Sequence, residues 1–268
     1  MTDNRPIGVY DSGIGGLTVF SKLYKLLPNE NYLYFGDTAN VPYGTKSREE
    51  LLVITHKIMN FFQKKNVKAV VMACNTTSAI AYDTLKNYYD FKLYPLIQTA
   101  CKSIAELNVS KIGSLSTEAT ANSHAYKNNI LIHNNKMQII EHGCPKKWVE
   151  IVENHTQNNP ENFDVIKDNL SVLLEQNVER VILGCTHYPY LRDILIKIAG
   201  KDIFIDPSET FAKAISEDIV SSGIQADKLL HKPEFHVSSD PDKFYNSSSL
   251  FYKIDELPVL IDTDSFSG

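Results

Sequence analysis

Two cysteines in this chain stand in settings that suit moving a proton on and off carbon. Cys74 lies in Ala73-Cys74-Asn75-Thr76-Thr77 and Cys185 in Gly184-Cys185-Thr186-His187-Tyr188-Pro189, each directly after a short apolar run, residues 67–72 and 178–183. Val67, Val70, Val71, Met72, Ala73 and Cys74 correspond to Val178, Val181, Ile182, Leu183, Gly184 and Cys185 at a constant offset of 111 residues. Open α/β sheets form their ligand sites at the carboxyl ends of strands. Two duplicated strand ends, each bearing a thiol, therefore suggest one pocket with a thiol on either side. That geometry suits taking a proton from one face of a carbon and returning one to the opposite face. Asn75, Thr76 and Thr77 supply an amide, hydroxyls and backbone donors at a helix start, a setting that favours the thiolate over the thiol. Cys185 has a matching setting, with Thr186 next and then His187, which is a candidate to assist proton transfer.

Other uses of the cysteines fit less well. A free cysteine is most often a packing residue, and this describes Cys101, which shares a helical pattern with Ile97 and Ile104. Cys144, in Gly143-Cys144-Pro145, reads as a loop residue. A zinc site would need more than Cys185-x-His187, and the chain has no C-x-x-C pair, so no metal is expected. Disulfide redox chemistry wants a close pair or a resolving thiol, and a cysteine protease leaves the second thiol without a task. No lysine stands out as an anchor for pyridoxal, so activity without any cofactor is expected.

The elements that must hold these residues read as βαβ units. Strands are expected over residues 7–10, 32–35, 69–73, 111–115, 178–183 and 203–205, alternating with helical patterns, which signals parallel sheets. A helix over 47–65 opens on a capping box, Ser47 with Glu50, and carries Leu51, Ile54, Ile58, Phe61 and Phe62 as an apolar stripe. Asp206-Pro207-Ser208 starts another helix that runs to about Ser222. The repeat extends further: Ile7-Gly8 with Asp11-Ser12 matches Ile112-Gly113 with Ser116-Thr117. The expected fold class is therefore α/β, with two pseudo-symmetric lobes, each a mainly parallel sheet flanked by helices, and the site in the cleft between them. Residues 1–97 with 207–268 would form the first lobe and 98–206 the second, with 231–252 returning to complete the first.

Two loops fall at the same sheet edge. Asp11-Ser12-Gly13-Ile14-Gly15-Gly16 follows the first strand and leads into a helix at Leu17. Its spacing is not G-x-G-x-x-G and it lacks the GK[ST] of a P-loop, so a nucleotide site is disfavoured. Asp11 instead adds a carboxylate at the strand end, within reach of the pocket. Gly36-Asp37-Thr38-Ala39-Asn40-Val41-Pro42-Tyr43-Gly44 follows the second strand and reads as a pocket wall.

Composition narrows the class. With 268 residues, 43% hydrophobic and 22% charged, the chain has the make-up of an ordinary globular protein that buries a full core. The formal net charge of −5 shows no basic excess, so nucleic acid is not an expected partner. No apolar run approaches the length of a membrane span and no signal peptide is evident, so no membrane partner is expected, and four cysteines suit a reducing cytoplasm.

Taken together, Asp11-Ser12-Gly13-Ile14-Gly15-Gly16-Leu17, Gly36-Asp37-Thr38 with Pro42-Tyr43-Gly44, Ala73-Cys74-Asn75-Thr76 and Gly184-Cys185-Thr186-His187-Tyr188-Pro189 resemble the glutamate racemase family. The match spans residues 7 to 190 in the family's order. The resemblance implies a cofactor-independent racemase acting on glutamate, a small-molecule substrate, and supplying D-glutamate for bacterial peptidoglycan. It also implies a homodimer. Cys74 and Cys185 look like the two acid/base residues, with Asp11 supporting Cys74 and His187 supporting Cys185. Ser12, Pro42, Tyr43, Gly44, Asn75, Thr76 and Thr186 would contact substrate, together with Asp11 and His187. Thr117, in Thr117-Glu118-Ala119-Thr120, resembles a family threonine that meets the α-carboxylate. The family's second-lobe glutamate corresponds to Glu153 by spacing after Cys144-Pro145, with Glu150 the alternative. Aspartate as substrate, a non-enzymatic anion-binding protein and a thiol hydrolase are the competing readings.

Overall fold

In the computed structural model, which describes residues 2–266, two parallel sheets are built in the same strand order. The first lobe contains β1 (Ile7–Asp11), β2 (Tyr32–Gly36), β3 (Ala69–Met72) and β4 (Lys92–Pro95). The second contains β5 (Lys111–Thr117), β6 (Gln138–Cys144), β7 (Arg180–Gly184) and β8 (Phe204–Ile205). The first sheet runs β2-β1-β3-β4 and the second β6-β5-β7-β8, so β1 is equivalent to β5 and β3 to β7. The spacing that relates Cys74 to Cys185 thus reflects a repeated four-strand unit. Two late strands, β9 (Glu234–Val237) and β10 (Val259–Leu260), extend the first sheet beyond β2. The segment after residue 230 therefore does return to the first sheet, with Leu33 paired to Glu234 and Gly36 to Val237.

The strands that sequence patterning misses share a physical reason. β4, β6 and β10 are edge strands, and β9 is the next strand in from β10. β6 reads Gln-Ile-Ile-Glu-His-Gly-Cys and is half-buried over most of its length, so it shows no continuous apolar run. β1 and β3, paired on both sides and covered on both faces, are buried throughout and are legible as apolar runs. Cys144 is corrected here: it ends β6, beside Thr117 of β5, and is buried.

Helices fill the space between the sheets and cover their outer faces. Helix Leu17–Leu26, helix Leu96–Ala105 and helix Pro207–Ser221 contribute Phe20, Ile97, Cys101, Ile104, Phe211 and Ile215 to a core that also takes in Ile182 and Tyr126 of the second lobe. Cys101 is a packing residue within it. The outer face of the first sheet is covered by helix Arg48–Lys64. Its cap is reciprocal, with Glu50 N–H donating to Ser47 Oγ at 3.1 Å and Ser47 N–H to Glu50 Oε2 at 2.8 Å. Asp206 caps helix Pro207–Ser221, accepting from Ser208 N–H at 3.0 Å, and also pairs with Lys22 of the first helix. Among the described residues no helix is long and apolar enough to cross a membrane.

Candidate active site

The repeated topology brings the carboxyl ends of β1, β3, β5 and β7 to the junction of the lobes. Cys74 follows β3 and occupies the cap position of the short helix Asn75–Ile80, while Cys185 follows β7. Both thiols line one cavity, together with Ser12, Pro42, Tyr43, Gly44, Asn75, Thr76, Thr117, Thr186 and His187. Every residue proposed from sequence to touch substrate is in that wall except Asp11. Val41, from the loop that reads as a pocket wall, and Val149, which no motif marks as a wall residue, complete it. The cavity is about 20 Å³, little more than the space one water needs. Cys74 and Cys185 are only 4% and 8% exposed. An amino acid can therefore enter only if the lobes part or the wall shifts.

Two glycines allow the lobes to meet this closely. A Cβ on Gly15 would lie 2.8 Å from His187 Nδ1, and one on Gly44 would lie 2.6 Å from Thr117 Cβ. Each contact crosses from the first lobe to the second, so these positions require the absent side chain. Polar contacts cross the same boundary. Thr76 Oγ1 is 3.0 Å from Thr117 Oγ1, which is 2.9 Å from Thr120 Oγ1, and Thr120 Oγ1 donates back to Thr76 at 3.3 Å. Tyr126 OH donates to Asn75 Oδ1 at 2.6 Å. Tyr126 carries no motif signature, since a buried hydroxyl inside a helix looks like any packing residue, while Thr120 ends the string Thr117-Glu118-Ala119-Thr120 without being picked out in it.

The surroundings of the two thiols differ. Cys74 Sγ lies 3.8 Å from Ser12 Oγ and receives the backbone N–H of Thr77. Burial pushes its thiol up to about 12, the Asp11 charge adding to the effect and the Ser12 and Thr77 donors opposing it. The sequence-based expectation that the helix start favours a thiolate is thus corrected: with the cavity closed, loss of water outweighs those donors. Asp11 is fully buried behind the wall. Its carboxylate accepts from Gly13 N–H at 3.0 Å and from Thr186 Oγ1 at 3.3 Å, so it joins the end of β1 to the turn after β7. Burial raises the Asp11 carboxyl, with nearby His187 acting in the other direction.

Cys185 Sγ lies 3.7 Å from His187 Nδ1, and His187 Nε2 lies 3.3 Å from Glu153 Oε1. Burial alone would lower the imidazole, but Cys185 and Glu153 outweigh it and raise His187 to about 10. His187 therefore carries its proton at neutral pH and can donate through Nδ1 to a sulfur anion. Burial acts to raise the Glu153 carboxyl, yet the bond and charge of His187, with Lys243, hold it below its usual range. Glu153 is the last residue of helix Lys147–Glu153. Glu150 of the same helix faces away, pairing with Lys146 at 3.5 Å on the exposed side. Tyr43 OH donates to Asp37 Oδ2 at 2.5 Å and meets Tyr10 OH at 2.8 Å, so its hydroxyl is committed inside the first lobe. The same loop lines the cavity through Val41, Pro42, Tyr43 and Gly44.

Known proteins resemble this chain in sequence and in fold. Residues 14–215 match the Asp/Glu/hydantoin racemase family. A glutamate racemase of Trichodesmium erythraeum is 38% identical over 267 residues, covering 97% of this chain and 98% of the relative. The crystal structure of glutamate racemase from Francisella tularensis in complex with D-glutamate superposes with a TM-score of 0.91 at 34% identity, covering 98% of this chain and 99% of that one. An isoform from Bacillus anthracis gives a TM-score of 0.88 at 30% identity, covering 96% of this chain and 99% of that one. With the family match over most of the chain, its relatives at near full length and a shared two-lobed fold, the chain belongs to the Asp/Glu/hydantoin racemase family, among its glutamate racemases.

Proposed function

We propose that the protein interconverts L- and D-glutamate without a cofactor, Cys74 and Cys185 acting as the two acid/base groups. The observation that carries this reading is that both thiols face one closed cavity from equivalent strand ends. One cysteine, as thiolate, removes the α-proton, and the other, as thiol, gives a proton to the opposite face of the carbanion. In the reverse direction their roles exchange. An unperturbed thiol has a pKa of about 8.5 and an amino acid's α-proton is far less acidic. The carbanion therefore needs donors fixed around its carboxylate in a cavity without bulk water. Ser12, Asn75, Thr76, Thr117 and Thr186, with the backbone at Tyr43 and Gly44, can supply them. The substrate's own ammonium adds a positive charge beside the thiols as it binds and draws Cys74 towards the thiolate.

Asp11 acts from behind the wall, and His187 with Glu153 serves Cys185. The division into a first lobe of 1–97 with 207–268 and a second of 98–206 belongs to the same proposal, supported by the strands each stretch contributes. So do supply of D-glutamate for peptidoglycan, a cytoplasmic location and a homodimer. The test is circular dichroism of purified protein with L-glutamate and no added cofactor. Decay of the optical signal to zero, unaffected by exhaustive dialysis or added pyridoxal phosphate, is the expected result. Decay with aspartate alone would change the substrate and keep the chemistry, while no decay with either would leave a binding protein.

A further inference from the structure

The carboxyl-terminal segment makes contacts with the catalytic relay that nothing in the active-site motifs announces. Helix Pro241–Ser248 and the turn after it belong to the first lobe: Phe244 packs 5.9 Å from the ring of Tyr34, and Tyr252 packs 4.9 Å from that of Phe20. From this anchored segment two side chains reach across to the second lobe. Lys243 Nζ lies 3.9 Å from Glu153 Oε2. The Phe251 ring stands edge-on to the His187 ring, 6.2 Å between centroids at 84°, and also contacts Tyr190 at 5.8 Å.

The two oxygens of Glu153 are therefore divided, Oε1 towards His187 and Oε2 towards Lys243. A carboxylate held at one oxygen can swing about its terminal torsion, and a second partner limits that swing. Phe251 fixes the plane of the imidazole, so that Nδ1 stays aimed at Cys185 Sγ. It also shields the ring from water, which strengthens the electrostatics of the pair. The groups that meet the Cys74 sulfur, Ser12 and Thr77, come from its own lobe, and neither Lys243 nor Phe251 is among them. We propose that Lys243 and Phe251 are positioning residues for the His187–Glu153 pair, so that the carboxyl-terminal segment sets the rate of proton transfer at Cys185 and leaves that at Cys74 unaltered. This inference rests on the two-cysteine reading above.

The enantiomers have equal free energy, so kcat/KM must fall equally in both directions, and the discriminating readout is the isotope effect. Each enantiomer of α-deuterated glutamate is compared with its protiated form in Lys243→Met, Phe251→Leu and the double variant, followed by circular dichroism. For one enantiomer Cys185 removes the deuteron, and slowing that step raises the isotope effect on kcat/KM. For the other, Cys185 delivers a solvent-derived proton, and slowing it lowers the substrate isotope effect. The expected result is this opposite movement, with kcat/KM of the double variant down about tenfold and Lys243→Arg close to wild type. Ser12→Ala, beside Cys74, should move the two effects in the reverse sense. Isotope effects that stay equal, or move together, in variants with unchanged far-ultraviolet spectra would overturn the inference. Should Phe251→Leu fail to fold, Lys243→Met, altering a half-exposed side chain, decides alone by the same criterion. A wild-type protein that racemises neither enantiomer would instead remove the underlying reading, and the inference with it.

Discussion

The Cys74 and Cys185 halves of the site begin from equivalent strand ends and diverge within two residues. After β3 the chain continues Asn75-Thr76-Thr77, and the sulfur meets only a hydroxyl and a backbone N–H, with the Asp11 carboxylate behind. After β7 it continues Thr186-His187, and the sulfur meets an imidazole whose pKa Cys185 and Glu153 together raise against its burial. Duplication supplies the symmetric framework that a reaction between mirror-image faces needs. What the two halves do to their thiols is nevertheless unlike. Burial pushes the Cys74 thiol up, while Cys185 has an imidazole within 3.7 Å.

The largest effects should test what the halves share. Cys74→Ser and Cys185→Ser should each lower kcat/KM by about a thousandfold or more, since a serine hydroxyl is a far weaker acid and general acid–base catalysis of this kind contributes ~10²–10⁴-fold. Racemisation measured by circular dichroism checks both. Near wild-type turnover in either variant would mean that the site does not use two thiols.

The next pair separates the halves. Glu153→Gln removes the charge that helps raise His187, so the imidazole should lose its proton at lower pH. The alkaline limb of the kcat/KM profile should move down accordingly, with activity near pH 8 falling about tenfold or more from loss of a charge-assisted hydrogen bond. Stability follows the same sign. Because the folded-state value of His187, about 10, lies above its ordinary 6.5, the pair's contribution is full below about 6.5 and is lost as pH rises through about 10. The melting-temperature difference between wild type and Glu153→Gln should therefore shrink across that range. Asp11→Asn acts on the other half. It removes a charge that raises Cys74, so alkylation of Cys74 by iodoacetamide, read by mass spectrometry, should reach half-maximal rate at lower pH than in wild type. An unchanged alkylation profile would disconnect Asp11 from Cys74.

How much of this contrast is legible in the sequence follows from where each residue's signal comes from. Cys74 and Cys185 stand out because β3 and β7 are buried on both faces and so read as apolar runs that end in a thiol. His187 is legible because it is adjacent to one of those ends. Ser47 with Glu50 is legible because a capping box is a local contact. By contrast, the partition between Glu153 and Glu150 depends on which face of helix Lys147–Glu153 turns inward, a tertiary fact. Lys243 and Phe251 reach the relay from a segment far along the chain, and their spacing to His187 carries no pattern. The protonation of Cys74 is not legible in the sequence for a related reason. The donors beside it are local and visible, whereas the burial that outweighs them is a property of the closed lobes.

The smallest effect sharpens the comparison from its midline. The ring of hydroxyls formed by Thr76, Thr117 and Thr120 joins the lobes at a point that belongs to neither cysteine. Thr120 lies behind the cavity wall, so Thr120→Val keeps the shape, deletes the two links that Thr120 Oγ1 makes and leaves only the one between Thr76 and Thr117. A buried hydrogen bond of this kind is worth on the order of 1 kcal/mol. Thr76 and Thr117 then lose a partner that orients their hydroxyls towards substrate, and KM should rise about fivefold for both enantiomers while kcat changes little. Since neither proton transfer is singled out, the isotope effects with α-deuterated L- and D-glutamate should stay at their wild-type values. A lopsided change here would mean that the hydroxyl ring serves one cysteine more than the other, and the midline would have to be redrawn on that side.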